Sequence, residues 1–286
     1  MRHGFLLVRK PTGPTSHDVV SRVRKILSEQ DIGHLGTLDP AASGLLVLAV
    51  GSKALKVIEF FNDLPKQYEA DIRLGSVSST YDSEGVIEAV TPRPGWNAPD
   101  IMSLRRMLED RFVGIIEQVP PAHSAVHIAG KRAYELARAG KLVQPPPRKV
   151  DISECCILSY EFPSVHLRVS CGSGTYIRSL AHDLGQMLRC GGYLQGLKRT
   201  KVGSWDIEQA VPLDDVAWTF VLPLKEVLLP LRRIDVTEAD GAELRFGRNI
   251  PHEVKPGTFA WCQGMPIAIL DPAKDGTRKA HPRKVL

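Results

Sequence analysis

One carboxylate stands out in the stretch "GHLGTLDPAASG", residues 33–44. Asp39 lies between Leu38 and Pro40, with His34 upstream and the apolar run "SGLLVLAVG" just downstream. Asp-Pro is an ordinary way to open a turn, and glycines accompany turns. The sequel argues for more, because Leu45 to Val50 is a short glycine-bounded apolar run that reads as a buried strand. Asp39 therefore stands at the edge of a core. An unpaired carboxylate there is costly or takes up a proton, so it must be hydrated, hydrogen-bonded or paired with a cation. Arg178 in "GSGTYIRSL" is a candidate partner, four residues after Gly174 in the first turns of a predicted helix entered from a strand. Its fixed fork of donors suits a carboxylate better than lysine does. Spacing alone does not select it from 37 Lys and Arg residues. A carboxylate kept ionised in this way is equipped to be a nucleophile or a base. Tyr68 is a second candidate, although its place on an alternating strand also suits a core aromatic.

Other chemistries find no support. The chain has no H-E-x-x-H, no C-x-x-C, no G-x-x-x-x-G-K-[ST] and no G-x-S-x-G, and "GSGTYI" lacks the third glycine of a dinucleotide fingerprint. No metal and no cofactor is expected. Five cysteines, an odd number, argue against a disulfide framework and point to a reducing cytoplasm. No apolar run approaches the roughly 18 residues that span a bilayer, so neither anchor nor signal peptide is expected. A two-carboxylate glycosidase using Asp31 and Asp39 is disfavoured by a formal charge of +5 and an aromatic content of only 6%.

The elements that must position these residues follow from periodicity. Phe5 to Val8 reads as a strand; Val19, Val20, Val23, Ile26 and Leu27 follow a helical period with Ser16 as the expected N-cap. "SKALKVIEFFND" repeats the helical pattern, "KQYEADIRLG" alternates as a strand, "GVIEAV" reads as another strand and "SLRRMLEDRFVG" as a helix. Residues 120–150, bracketed by Pro120-Pro121 and Pro145-Pro146-Pro147, carry Lys131, Arg132, Arg138, Lys141, Arg148 and Lys149 against a single Glu135, a basic excursion from the fold. "SVHLRVSCGSG" alternates and runs into the helix "TYIRSLAHDLGQML". The last 60 residues, with short apolar runs broken by Gly and Pro, suggest a small β-rich domain. Helices mixed with one-sided strands favour α+β with a mixed, mainly antiparallel sheet.

Four phrases in this order and spacing, "GHLGTLDPAASGLL", "KQYEADIRLG", "GTYIRSLAHDLG" and "LQGLKRTKVG", resemble the TruB family of tRNA pseudouridine synthases. The resemblance runs from Lys10-Pro11 to about Gly203 and more loosely to the C-terminus. It implies a catalytic domain over 1–225 and a small RNA-binding domain of PUA type over 226–286, with 120–150 as an RNA-gripping insertion. It implies isomerisation of the T-loop uridine at tRNA position 55, by base flipping, N-glycosidic cleavage and C5–C1′ bond formation. Asp39 matches the catalytic aspartate, Tyr68 the tyrosine packed on the target base, and Arg178 the arginine paired with the aspartate. His34, Tyr176, Leu197, Asp82, Lys10, Lys131 and Arg132 are the expected substrate contacts. Ser79, His123 and Lys198 depart from the family pattern, and Ser79 puts polar support around Asp82 in question. A monomer with no obligate protein partner and tRNA as its ligand is the implied state; an RNA-binding protein without turnover is the alternative.

Overall fold

The computed structural model describes residues 3–122, 127–128, 131–132, 145–274 and 277–286. Nineteen strands occur among the described residues. They are β1 (Gly4–Lys10), β2 (Ile32–His34), β3 (Ala42–Val50), β4 (Lys66–Leu74), β5 (Ser76–Ser78), β6 (Ile87–Ala89), β7 (Gly114–Gln118), β8 (His127–Ile128), β9 (Lys131–Arg132) and β10 (Arg148–Glu161). They continue with β11 (Ser164–Cys171), β12 (Gly192–Val202), β13 (Trp205–Asp206), β14 (Val211–Pro212), β15 (Leu222–Pro223), β16 (Arg233–Asp235), β17 (Thr258–Cys262), β18 (Met265–Pro272) and β19 (Ala280–Val285). The main sheet runs β14-β1-β3-β12-β4-β11-β10-β7. Its pairings are antiparallel except β1 with β14 and β3 with β12, so the sheet is mixed and mainly antiparallel.

The two halves of this sheet bury themselves differently, and the sequence pattern follows. In β1 and β3 both faces are covered. Phe5, Leu7, Leu45, Val47 and Ala49 join one cluster, while Leu6, Val8, Leu46, Leu48 and Val50 join another under Val19, Val20, Val23 and Leu27 of the helix Ser16–Leu27. Two buried faces explain a continuous apolar run in place of alternation. In β4 only one face is covered. Tyr68, Ala70, Ile72 and Leu74 pack beneath the helices Ile101–Phe112 and Ile177–Met187, and the intervening residues stay polar. The segment "SKALKVIEFFND" forms the helix Ser52–Val57 followed by a tight turn, Ile58–Phe61. "GVIEAV" forms only the three-residue β6, exposed and paired with β5.

β16 to β19 form a separate four-stranded sheet, the expected small β-rich unit. Phe259, Trp261 and Ile269 from it share a cluster with Phe5 and Val57 of the main sheet region. Arg283 and Lys284 pair with Glu59 at 3.2 and 2.9 Å. Most of the basic excursion at 120–150, including His123, lies outside the described residues; within it Lys131 and Arg132 form β9, paired with β8.

One expectation is corrected. The helix at 16–27 is capped by Thr15, whose side chain accepts from the Asp18 amide while Asp18 reaches back to the Thr15 amide. Ser16 is the first helical residue, and its hydroxyl is used elsewhere.

The parallel contact of β3 with β12 sets Gly44 opposite Arg199. A Cβ at Gly44 would lie 2.3 Å from the Arg199 carbonyl oxygen and 2.5 Å from its nitrogen, and φ there is +113°. Neither atom can move without shifting β12. Gly44→Ala is therefore expected to lose about 3 kcal/mol from overpacking and strain together, read as a fall in Tm of several degrees; an unchanged Tm would show that β3 and β12 are less tightly apposed.

Candidate active site

The loop between β2 and β3 carries Asp39, and its backbone is held almost atom by atom. The Lys10 ammonium, at the end of β1, donates to the carbonyls of Pro11, Asp39, Pro40 and Ala42 at 3.0, 3.1, 3.4 and 2.6 Å. Ser16 donates its hydroxyl to the Leu38 carbonyl at 3.0 Å and accepts from the Leu38 amide at 2.8 Å. Arg199 reaches from β12 to the carbonyls of Gly36, Thr37 and Leu45 at 3.1, 3.3 and 2.8 Å. The Gly13 amide donates to the Pro40 carbonyl at 2.8 Å. Each carbonyl from Gly36 to Pro40 thus has a donor, and Pro40 further restricts Asp39 to extended geometry.

Lys10 and Arg199 are each 1% exposed. Burial lowers the Lys10 pKa, with Asp39 acting in the opposite direction. Lys10, expected as a substrate contact, has its ammonium engaged by the carbonyls of the loop in the free protein. The loop contacts of Ser16 and Arg199 were not visible in the sequence. A serine after Thr15 reads as a cap, and an arginine in "LKRTKV" reads as surface charge; only the fold brings either to the loop.

The Asp39 side chain is 46% exposed and looks into a cleft. Its Oδ2 forms an ion pair with Arg178 Nε at 3.1 Å. The same guanidinium donates through Nη1 to Asp82 Oδ2 at 3.2 Å. Arg178 is the second residue of the helix Ile177–Met187, as the sequence suggested, and points back over the sheet. Asp82 is 5% exposed and also accepts from the Thr80 hydroxyl and, at 3.0 Å, from the Glu84 amide. Ser79 therefore does not deprive Asp82 of polar support; its own hydroxyl accepts from the Val86 amide at 3.0 Å, steadying the same loop.

Asp39, Asp82, Arg178 and Leu197 line one narrow cleft together with Ala41 and the bulged turn Gln195-Gly196. Tyr68 lies beneath it, opposite Arg199 in the β4–β12 register and clustered with Leu38, Ala42 and Leu197. Burial pushes its phenol pKa up, with the Arg199 guanidinium opposing. Tyr176 is set by Gln118, a residue the sequence did not flag, which grips both the amide and the carbonyl of Tyr176 at 2.8 and 3.0 Å. His34 is outside the cleft lining. It sits on β2 edge-on to His17, with ring centroids 6.3 Å apart, and burial followed by the neighbouring His17 lowers its pKa. The side chains of Lys131 and Arg132 lie outside the described residues. Lys198, on the open face, pairs with Glu69 at 3.6 Å.

The glycosidase pairing fails on distance. The Asp31 carbonyl bonds the Gly51 amide, whereas the Asp39 carbonyl bonds the Ala42 amide, so the two acids flank opposite ends of β3. Nine strand residues separate their ends by about 25 Å, beyond any two-carboxylate arrangement. What is assembled is one exposed carboxylate on a rigid loop, an arginine shared with a buried acid, and an apolar floor. That suits attack on, or proton removal from, a group inserted into the cleft. Among the described residues no cluster of His, Cys, Asp and Glu could hold a metal. None of their helices is long and apolar enough to cross a membrane.

Comparison with known proteins gives consistent results. Residues 24–177 match the TruB family pseudouridylate synthase N-terminal domain, and residues 178–234 the tRNA pseudouridylate synthase B C-terminal domain. The tRNA pseudouridine synthase B of Thermobifida fusca (strain YX) is 43% identical over 251 residues, 84% of each chain. That of Mycobacterium bovis (strain BCG / Pasteur 1173P2) is 38% identical over 284 residues, covering 96% of this chain and 94% of its own. Among solved structures, a crystal structure of a Cbf5-Nop10-Gar1 complex aligns with TM-score 0.71 at 25% identity, covering 99% of this chain and 84% of that one.

Two outcomes follow from this geometry. Ser16→Ala leaves the buried Leu38 amide without its partner, which costs about 1–3 kcal/mol; Tm should fall by that equivalent, and intact stability would show that Ser16 does not secure the loop. The Asp183 carboxyl, on the same helix as Arg178, is pushed up to about 6 by burial. The native state then holds a proton that the unfolded chain has lost, so stability falls as pH rises from about 4 through about 6. Asp183→Asn should raise Tm at pH 7.5 and leave it little changed at pH 4; equal shifts at both would contradict the burial effect.

Proposed function

Because this chain belongs to the TruB family of pseudouridylate synthases, we propose that it isomerises uridine to pseudouridine in tRNA and that its target is the T-loop uridine at position 55. The observation that carries the site assignment is the Arg178 guanidinium shared between Asp39 and Asp82 at the mouth of the cleft. The reaction breaks the N1–C1′ bond, turns the uracil while it stays bound, and joins C5 to C1′. C5 then loses its proton and N1 gains one, with no redox change and no energy input. C1′ of a stacked nucleotide is out of reach, so the target nucleotide is flipped out of the loop, at a cost of a few kcal/mol that base stacking and pocket contacts offset.

Asp39 is the catalytic carboxylate in this reading. Attack on C1′ and removal of the C2′ proton both require it ionised, and Arg178 supplies the matching charge for either. Tyr68 forms the floor against which the uracil packs, and burial pushes its phenol pKa up. Leu197 closes the apolar side. Asp82 holds Arg178, and Lys10 fixes the loop. His34, neutral at physiological pH, and Tyr176 flank the flipped nucleotide, while Lys131 and Arg132 in the basic segment grip phosphates of the T stem. Residues 226–286 act as the PUA-like RNA-binding unit. The protein works on tRNA directly, as a cytoplasmic monomer. Support for direct recognition comes from its relatives at 38–43% identity, whose names carry tRNA as the substrate.

Tritium release from a tRNA transcript labelled at uridine C5 tests the assignment. Wild type should release tritium from the T-loop uridine, and Asp39→Asn should reduce the rate by at least about 1,000-fold, equivalent to about 4 kcal/mol, with tRNA affinity within about threefold. Binding by wild type without release would replace the enzyme reading with that of an RNA-binding protein.

A further inference from the structure

The loop that delivers Asp82 is built on a backbone conformation that its sequence does not favour. Tyr81, immediately before Asp82, has φ of +65°, in the left-handed region that a bulky residue rarely occupies. Its amide donates to the Ser78 carbonyl at 3.1 Å, and its carbonyl accepts from the Leu194 amide at 2.9 Å. Its ring lies flat on His182, with centroids 3.9 Å apart and planes 13° from parallel.

His182 stands four residues after Arg178, one turn further along the same helix. That helix is fixed against β12 at its next turn: a Cβ at Gly185 would lie 2.0 Å from the Gly192 nitrogen, so no side chain keeps the two elements apart. The His182 Nδ1 is buried without a hydrogen-bond partner among the described residues, and burial lowers the ring's pKa. A neutral ring whose buried nitrogen bonds nothing serves here through its flat face. The two stacked side chains thus adjoin the two residues that meet in the cleft: Tyr81 precedes Asp82, and His182 lies one turn from Arg178.

We propose that Tyr81 and His182 are positioning residues for the isomerisation, their stack holding the left-handed turn that presents Asp82 to Arg178 and so fixing the Arg178 guanidinium on Asp39. Without the ring of His182 the turn has no side-chain anchor at Tyr81. It relaxes toward ordinary backbone geometry, and Asp82 leaves Arg178 Nη1. Arg178 then loses the contact that aims its guanidinium at Asp39, whose side chain is partly exposed in the cleft. The effect falls on the reaction more than on tRNA affinity, because neither ring is among the residues lining the cleft. The proposal rests on the pseudouridine synthase reading above.

The test uses the full chain and C5-tritiated tRNA transcript under single turnover. His182→Ala is expected to slow release at least 10-fold while the Kd for tRNA stays within about threefold, and His182→Phe, which keeps a flat ring, is expected to recover the rate to within about threefold of wild type. In the pair His182→Ala with Asp82→Asn, release should be no slower than in Asp82→Asn alone, since both act through one contact. A crystal structure of His182→Ala should show the 3.2 Å contact of Arg178 with Asp82 broken. A wild-type rate in His182→Ala, failure of His182→Phe to recover it, multiplicative losses in the double variant, or an intact Arg178–Asp82 contact would each overturn the proposal. Absence of release from wild type would instead defeat the synthase reading, and the crystallographic contact would still judge the stack.

Discussion

The backbone carbonyls of residues 36–42 set the terms for everything around them. A loop that places a carboxylate at a core edge turns its own peptide groups toward the interior, where each unpaired carbonyl is costly. The protein meets them with two long cationic side chains and one hydroxyl: Lys10 from the first strand, Arg199 from the strand beside β3, and Ser16 from the first helix. Three separate elements are thereby fastened to one short turn. Ammonium and guanidinium groups are unusual in such a place, and the carbonyl dipoles converging on them offset the loss of hydration.

This arrangement separates two duties that a single charge could confuse. The buried cations face the peptide backbone of the loop, and Arg178 faces the carboxylate of Asp39 in an ion pair at 3.1 Å. Asp82, itself buried and fully engaged by Thr80, Glu84 and Arg178, keeps that arginine from being a mobile counter-ion. The positive charge of Lys10, Arg199 and Arg178 around the loop exceeds the negative charge of Asp39 and Asp82. A cleft with such a balance attracts a phosphate-bearing ligand without committing a surface lysine to each phosphate.

The two sheets are joined by packing and charge together. Phe60 and Phe259 lie with ring centroids 4.9 Å apart, Glu59 receives Arg283 and Lys284, and the Lys56 ammonium donates to the Val285 carbonyl at 2.6 Å. The C-terminal cations nearest the main sheet are thus used for docking. Arg278 and Lys279 stay exposed.

Local patterns were enough for much of this. The continuous apolar run after Asp39, the one-sided alternation of 68–74, the strand entering the helix of Arg178 and the mixed, mainly antiparallel sheet could all be read from residue order, because periodicity reports how many faces of an element are covered. The motif phrases carried Asp39, Tyr68 and Arg178 as a set. Other roles were settled by contacts across large chain separations, which no local pattern encodes. Lys10 became a clamp because it sits 29 residues from the carbonyl it meets at Asp39; Ser16 left its expected capping role because Leu38 lies against it; Arg199, by type a surface residue, is buried because β12 runs parallel to β3 at that point. The sequence by itself determined which residues could bear charge and which strands had to be buried. Only the tertiary structure decided which charges face the ligand and which are consumed by the backbone, since that choice depends on where the carbonyls of a loop point once the strands around it have closed.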